Sequence, residues 1–314
     1  MVKLSLPSAA HIVTAAFLIA VGSTRAQEQA AQINTQQDLL RRAPAAESGA
    51  GTESSVSDPS LGEIALVNRA PRPDMFTFST SQDFRYTSNA FLVPSGERGA
   101  VFWNGRFNAS YVPYATRDFT PRLTFEQNFF RYQRVSELDF DSQSLQLDLK
   151  YDLKRDDSWF VNVGYAGARL YAPHSNVDEF YRFGLANSSI THLRQLGQSP
   201  VYFAGTLGSQ YRHGDPSAFD RVAGYLNTAF FYSPVEHLQL TAFARPEIQF
   251  YTNDPLDSSR KDLNLSVGAS AVLTPIEYVS IGVTASFIEN FSSSNPAEYE
   301  VFSPSVVIGG RIAF

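Results

Sequence analysis

The 314-residue sequence contains no cysteine, which excludes a disulfide framework and any metal site built on thiolates. Beyond Ala26 it has no run approaching ~18 consecutive apolar residues, so it offers no helix able to cross a bilayer. Clustered basic residues are missing too. Loss of the first 26 residues would remove Lys3 and Arg25 and no acid, leaving 23 basic residues against 31 acidic ones, a net charge of −8. A chain this acidic, without a basic run, is unsuited to nucleic acid. His192, His213 and His237 stand apart, without the spacing of metal ligands. No metal and no cofactor are expected.

What is present begins with an export leader. Lys3 gives a short positive start, an apolar run from Ala9 to Gly22 follows, and Thr24 and Ala26 sit three and one residues before a cleavage point. That layout predicts a secretory signal peptide over 1–26, and the run is too short to span a membrane. No cysteine follows it to carry a lipid anchor. Residues 27–74 form a separate zone rich in Ala, Gln, Ser, Glu and Pro, nearly free of aromatics, ending in Pro71-Arg72-Pro73. It is expected to be a disordered periplasmic segment, with at most a short helix around 33–42.

From Met75 the texture changes to an alternation of period two. Leu145, Leu147, Leu149 and Tyr151 alternate with Gln146, Asp148 and Lys150; Leu263, Leu265, Val267, Ala269 and Ala271 alternate with Asn264, Ser266, Gly268 and Ser270. Such a period puts one set on each face of a strand. Twelve strands are predicted, at 75–86, 100–113, 120–133, 142–154, 158–171, 179–193, 200–212, 219–232, 236–251, 261–274, 277–289 and 301–314, with 179–193 the weakest in pattern. The even-numbered connections are short (114–119, 155–157, 194–199, 233–235, 275–276). The odd ones are mostly longer (87–99, 134–141, 172–178, 213–218, 252–260, 290–300). Sorting of short turns to one side and long loops to the other is expected of a transmembrane barrel. A soluble sandwich has no reason for it.

Strands of this length exceed the ~5–6 residues usual in globular sheets, whereas ~9–11 tilted residues cross a bilayer. Aromatics gather near strand ends, as an interfacial girdle requires: Tyr111, Tyr114, Trp159, Phe160, Phe230, Phe231, Tyr232 and Tyr278 toward the short turns, and Phe129, Phe130, Tyr171, Tyr181, Phe250, Tyr251 and Phe287 toward the long loops. The chain ends in Gly309-Gly310-Arg311-Ile312-Ala313-Phe314. Here Phe314 is a terminal aromatic, Ile312 an apolar residue two before it, and Gly309 a glycine five before it. In this the sequence resembles the C-terminal recognition signal of porin-like bacterial outer-membrane β-barrels, departing from it at Val307, where a polar residue is usual. The resemblance covers 75–314 and identifies no subfamily. It implies an all-β fold, a transmembrane antiparallel barrel, in the outer membrane of a Gram-negative-type bacterium. It also implies outer-membrane lipid and lipopolysaccharide, periplasmic chaperones and the barrel-assembly machinery as partners.

With the apolar set facing lipid, the lumen is expected to hold Arg85, Arg106, Arg122, Lys150, Arg182, Arg212, Arg245 and Arg311 among Asp83, Glu126, Asp148, Asp152, Glu247 and Asp262. A row of arginines in a narrow bore would favour anions; interleaved carboxylates could instead pair with them and plug it. Twelve strands lie between the eight that side chains fill and the sixteen that leave a wide channel. Two readings therefore stand: a narrow porin for passive diffusion of small hydrophilic solutes, or a closed structural or surface-interaction barrel. A soluble secreted β-sandwich binding module is a third. An autotransporter is disfavoured, because the 48 residues of 27–74 leave no room for a passenger. No enzyme is expected: His174-Ser175-Asn176 is the one tempting cluster, and adjacent strand residues face opposite sides.

Overall fold

A segment with one polar and one apolar face must lay those faces on opposite sides of a sheet, and a dozen such segments do so here by closing the sheet on itself. The computed structural model describes residues 73–314 apart from 154–157, 174–177, 198–199, 236 and 256. The expected signal peptide and all but the end of the 27–74 segment lie outside the described residues.

The strands are β1 (Phe76–Thr87), β2 (Ala100–Tyr111), β3 (Phe119–Tyr132), β4 (Phe140–Asp152), β5 (Trp159–Tyr171), β6 (Glu179–Gln195), β7 (Val201–Asp215), β8 (Arg221–Val235), β9 (Leu238–Tyr251), β10 (Lys261–Ile276), β11 (Val279–Ser292) and β12 (Tyr299–Ala313). Every strand pairs antiparallel with its sequence neighbours, and β1 pairs with β12, so the barrel is closed. Single 3-10 turns at Ser136–Leu138, Ser217–Phe219 and Asn295–Ala297 lie in three of the connections at one end. The loop asymmetry is narrower than expected. The first short turn, 112–118, is as long as 133–139, and the contrast rests mainly on 88–99 and 252–260 against the two-residue turns 236–237 and 277–278. The strand weakest in pattern, β6, is the longest at 17 residues.

The two faces divide by parity. Outside stand Phe84, Leu145, Val163, Leu207, Val283 and Ile308, with Leu207 62% exposed. Inside, Asp83, Arg85, Asn104, Asn128, Arg245, Glu247, Asp262, Ser286 and Ser305 are buried. A soluble protein does not leave so large an apolar surface in water, whereas hydrocarbon takes it without cost. Part of the expected girdle faces the other way. Phe130 and Tyr181 are 1% and 0% exposed within the barrel, and Phe160 and Phe231 share the inward parity of Asp152 and Tyr202, their cross-strand partners.

The seam between first and last strands ends on the terminal residue. The Phe76 N–H donates to the Phe314 carbonyl at 2.9 Å and the Phe314 N–H to the Phe76 carbonyl at 3.0 Å. The Phe314 ring lies 5.9 Å from both the Phe76 and Phe78 rings. Deleting Phe314 removes these bonds and ring contacts, for a loss of roughly 1–3 kcal/mol. The truncated chain is expected to convert from its compact to its unfolded gel band at a lower temperature. An unchanged midpoint would show that the seam is held elsewhere.

Candidate functional site: the lumen

Inward parity distributes charge along the lumen from the short-turn rim to the long-loop end, and most of that charge is paired. Arg85 Nη2 donates to Asp83 Oδ2 at 2.5 Å, two residues along the same strand face, with both side chains nearly inaccessible. Arg106 Nε donates to Asn128 Oδ1 at 3.0 Å, and Asn128 Nδ2 donates to Glu126 Oε1 at 2.8 Å, drawing Glu126 to 3.9 Å from Arg106. Arg122 stands opposite Asp148 across β3 and β4, and Asp148 accepts from Gln146 Nε2. Lys150 Nζ lies 2.9 Å from Asp152 and 4.8 Å from the Phe160 ring centre. The guanidinium of Arg212 covers the Phe183 ring at 4.1 Å. Arg311 has inward parity at the short-turn rim, 3.7 Å from Asp74.

The tightest of these groups is built on Glu247. Arg245 Nη2 donates to its Oε2 at 2.7 Å, while the Gln210 and Gln249 amides donate to its Oε1 at 2.8 and 2.9 Å. The Arg245 guanidinium also lies 3.9 Å from the Tyr225 ring centre. Burial makes the carboxylate dependent on its cation, since an unpaired buried charge is costly.

Arg182 is the exception among the expected lumen residues. Its Cα partners are Arg169 and Asp215, and all three lie on the outer wall. The alternation misleads there because the wall and lumen exchange polarity near the long loops: Phe183 and Tyr181 turn inward and stack on each other at 5.4 Å, so the intervening Arg182 must turn outward.

The same inversion builds a feature that the sequence reading missed. Phe102, Phe130, Tyr132, Phe140, Leu170 and Tyr181, from β2 through β6, converge inside the long-loop end. Phe130 and Phe140 stack at 4.2 Å, and Phe102 stacks on Tyr132 at 4.7 Å. Ala90, Val135, Leu138 and Phe219 of the loops pack onto them. Asp139 fastens one loop by accepting from the Tyr132 N–H at 2.6 Å; burial raises its carboxyl above the usual range, against that hydrogen bond and the nearby Arg131. Across the mouth, Arg260 joins Asp254 at 2.9 Å and also bonds Asp262, which Asn290 and Ser292 donate to at 3.0 and 2.6 Å. Loop 252–260 is thereby tied down into the barrel. The signal available in the sequence was the local failure of alternation, with apolar residues at the polar parity in Phe102, Phe130 and Phe140.

Polar amides also line the lumen. Asn104 has both amide atoms buried without a partner among the described residues, as do Asn108 Nδ2 and Asn227 Oδ1. Buried amide atoms require hydrogen bonds, and water supplies them in a polar space. Among the described residues no group of three or more His, Cys, Asp or Glu is placed to hold a metal. His192 stacks on Trp159 at 4.3 Å and bonds the Ser158 carbonyl through Nδ1, while 174–176, the tempting cluster, lie outside the described residues.

No protein-family model matches this chain, and no curated protein matches it. Solved structures do match. An outer-membrane channel from Pseudomonas putida F1 aligns over 77% of this chain and 96% of its own at 13% identity, with a TM-score of 0.51. The translocator domain of the autotransporter NalP from Neisseria meningitidis aligns over 91% and 98% at 12% identity and a TM-score of 0.45. An anion-selective porin from Comamonas acidovorans aligns over 77% and 100% at 6% identity and a TM-score of 0.40. Likeness at these identities is likeness of fold.

The Glu247 group yields a test. Arg245→Gln leaves a buried carboxylate with only amide donors and is expected to lower stability by about 3–5 kcal/mol. Adding Glu247→Gln should restore most of the loss, read as thermal midpoints of the two variants. Equal midpoints for the single and double variants would show that the pair is solvated rather than buried.

Proposed function

Because the chain folds as a closed twelve-stranded barrel of the outer-membrane type, we propose that it serves in a bacterial outer membrane as a narrow passage for small hydrophilic solutes. The observation that carries this reading is the set of lumen amides on Asn104, Asn108 and Asn227, whose buried atoms call for water along the barrel axis. The flow is passive, and the arginines and carboxylates that alternate along the lining act as fixed charges on the solute. In this reading the aromatic cluster of Phe102, Phe130, Tyr132 and Phe140, which fills one side of the long-loop end, narrows the passage. An apolar wall on one side of the lumen narrows the path and disfavours water beside it.

A second reading, a closed barrel with a structural or surface role, draws on the packing of 88–99 and 252–260 into the same end, through Asn89 to the Glu300 carbonyl and through Arg260 to the inward Asp262. Single-channel recording of refolded protein separates the two. Wild-type protein is expected to give small steps, and Phe130→Ala with Phe140→Ala to enlarge them severalfold by widening the constriction. Silence from both proteins, each with the gel mobility of a folded barrel, would favour the closed barrel. Orientation has its own check. Tags at Ser95 and Asn295 should be labelled on intact cells and a tag at Val235 should not, and the opposite pattern would invert the barrel.

A further inference from the structure

The outer wall from β5 to β8 carries polarity at a depth where lipid offers it no partner. Ser188 of β6 stands opposite Ser209 of β7, and Ser209 opposite Gly224 of β8. Ser188 is nine residues from the start of β6 and seven from its end, and Ser209 is eight and six from those of β7, so both lie at mid-depth. All three residues are exposed. The two hydroxyls bond each other at 3.1 Å. A single bond uses one of their two hydrogens, which leaves a donor facing hydrocarbon that cannot accept it. Outward Thr80 and Thr228, by contrast, donate to carbonyls of their own wall, those of Arg106 and Ala244.

The same wall is stepped. Ala186 stands opposite Tyr211 and Ile190 opposite Leu207 on either side of the serine pair. Leu207 is 62% exposed, more than any other large apolar residue in the described strands. A Cβ at Gly224 would meet no atom within 4 Å, so the floor beside Ser209 is open. It ends at Gly184, which Tyr165 and His213 cover. A raised leucine beside a low floor of Ala186, Ser188, Ser209 and Gly224 complements a copy of itself turned by half a revolution.

Toward the long loops the wall ends in charge of both signs. Arg182 lies 3.2 Å from Asp215 and 3.9 Å from Glu179, with the Arg182 and Asp215 side chains 65% and 72% exposed. Arg169 stands opposite Arg182. Two cations and two carboxylates balance, so a second rim of the same composition finds opposite signs within reach. The wall of β11 and β12 lacks this property, because Glu289 faces Glu300 there and a contact between copies would add like charge to like. Four strands of 13 to 17 residues, at ~4.8 Å spacing and ~3.3 Å rise, present a wall of roughly 700 Å², near the ~800 Å² per partner of a specific interface.

We propose that this wall is the contact between two copies of this chain, related by a two-fold axis along the membrane normal between β6 and β7. Leu207 of each copy seats on Ala186 and Ser188 of the other. The Ser188 and Ser209 hydroxyls of both copies share one set of hydrogen bonds, and Arg182 of each gains Asp215 of the other. A contact of this symmetry closes as a dimer and leaves each lumen separate. This rests on the outer-membrane placement proposed above and not on conduction.

The test uses full-length protein refolded in detergent, with native mass spectra as the readout. Wild type is expected to form dimers. Ser188→Leu with Ser209→Leu removes the hydroxyls and fills the seat while suiting the wall better to hydrocarbon. It should weaken dimerisation about tenfold, the effect of losing one buried hydrogen bond or one seated side chain. Arg182→Glu should weaken it as well, and adding Asp215→Arg, which restores opposite signs in exchanged positions, should recover it. The chain has no cysteine, so Ser188→Cys reports the contact directly: oxidation should join two copies, and Val283→Cys on β11 should not. Gel mobility shows whether each variant is folded. A folded wild-type barrel that stays monomeric overturns the proposal, as does a dimer that the double leucine variant retains or one joined through Val283→Cys instead. A monomeric wild type that holds lipid which the leucine variant releases would make the wall a lipid seat and overturns it too.

Discussion

A backbone N–H or carbonyl facing hydrocarbon has no water to bond, so a sheet that crosses a membrane can leave no edge unpaired. Pairing of β1 with β12, from Thr77 opposite Ala313 to Arg85 opposite Ser305, is what meets that condition here. Everything else follows from closure. Once the sheet has an inside and an outside, each residue's parity fixes whether it meets lipid or lumen, and a side chain can reach the other compartment only by a bulge or at a rim.

Closure also confines charge. Carboxylates and guanidinium groups placed inside a twelve-stranded wall are too close to solvate independently, so they pair along a strand, as Asp83 with Arg85 and Arg245 with Glu247 do, or within a loop and its adjoining strand, as Arg260 with Asp254 and Asp262 does. Such pairs hold geometry more than they add stability, because desolvation offsets much of the attraction. They leave a lining with fixed charges and unpartnered amides, suited to water, beneath an aromatic layer suited to excluding it.

Near the long loops the polarity of the two faces exchanges. Inside, Phe130, Phe140 and Tyr181 pack with loop residues; outside, Gln143, Arg169 and Arg182 stand on the wall. The cause is depth. A strand that leaves hydrocarbon meets polar head groups on its outer face, while its inner face meets loops that fold back and need an apolar base. One change of environment therefore accounts for both the aromatic cluster inside and the arginines outside.

The barrel itself was legible in the sequence, because hydrocarbon and water impose a two-residue period that Leu145–Tyr151 and Leu263–Leu273 display directly, and because a chain with no long apolar run can span lipid only by strands. Inward placement of Arg106, Arg122, Arg245 and Glu247 followed from the same period. It failed at Arg182, where Phe183 and Leu185 looked lipid-facing and in fact turn toward the lumen, and it misplaced Phe130 and Tyr181 in the girdle. Parity in a sequence states which residues share a face; it does not state which side that face meets once lipid gives way to head groups and loops. The pairing of Arg169 with Arg182, the stacking of Phe130 on Phe140 and the capture of Arg260 by Asp254 join residues on different strands or across a loop. Only register and closure bring such residues together, and those are properties of the assembled sheet.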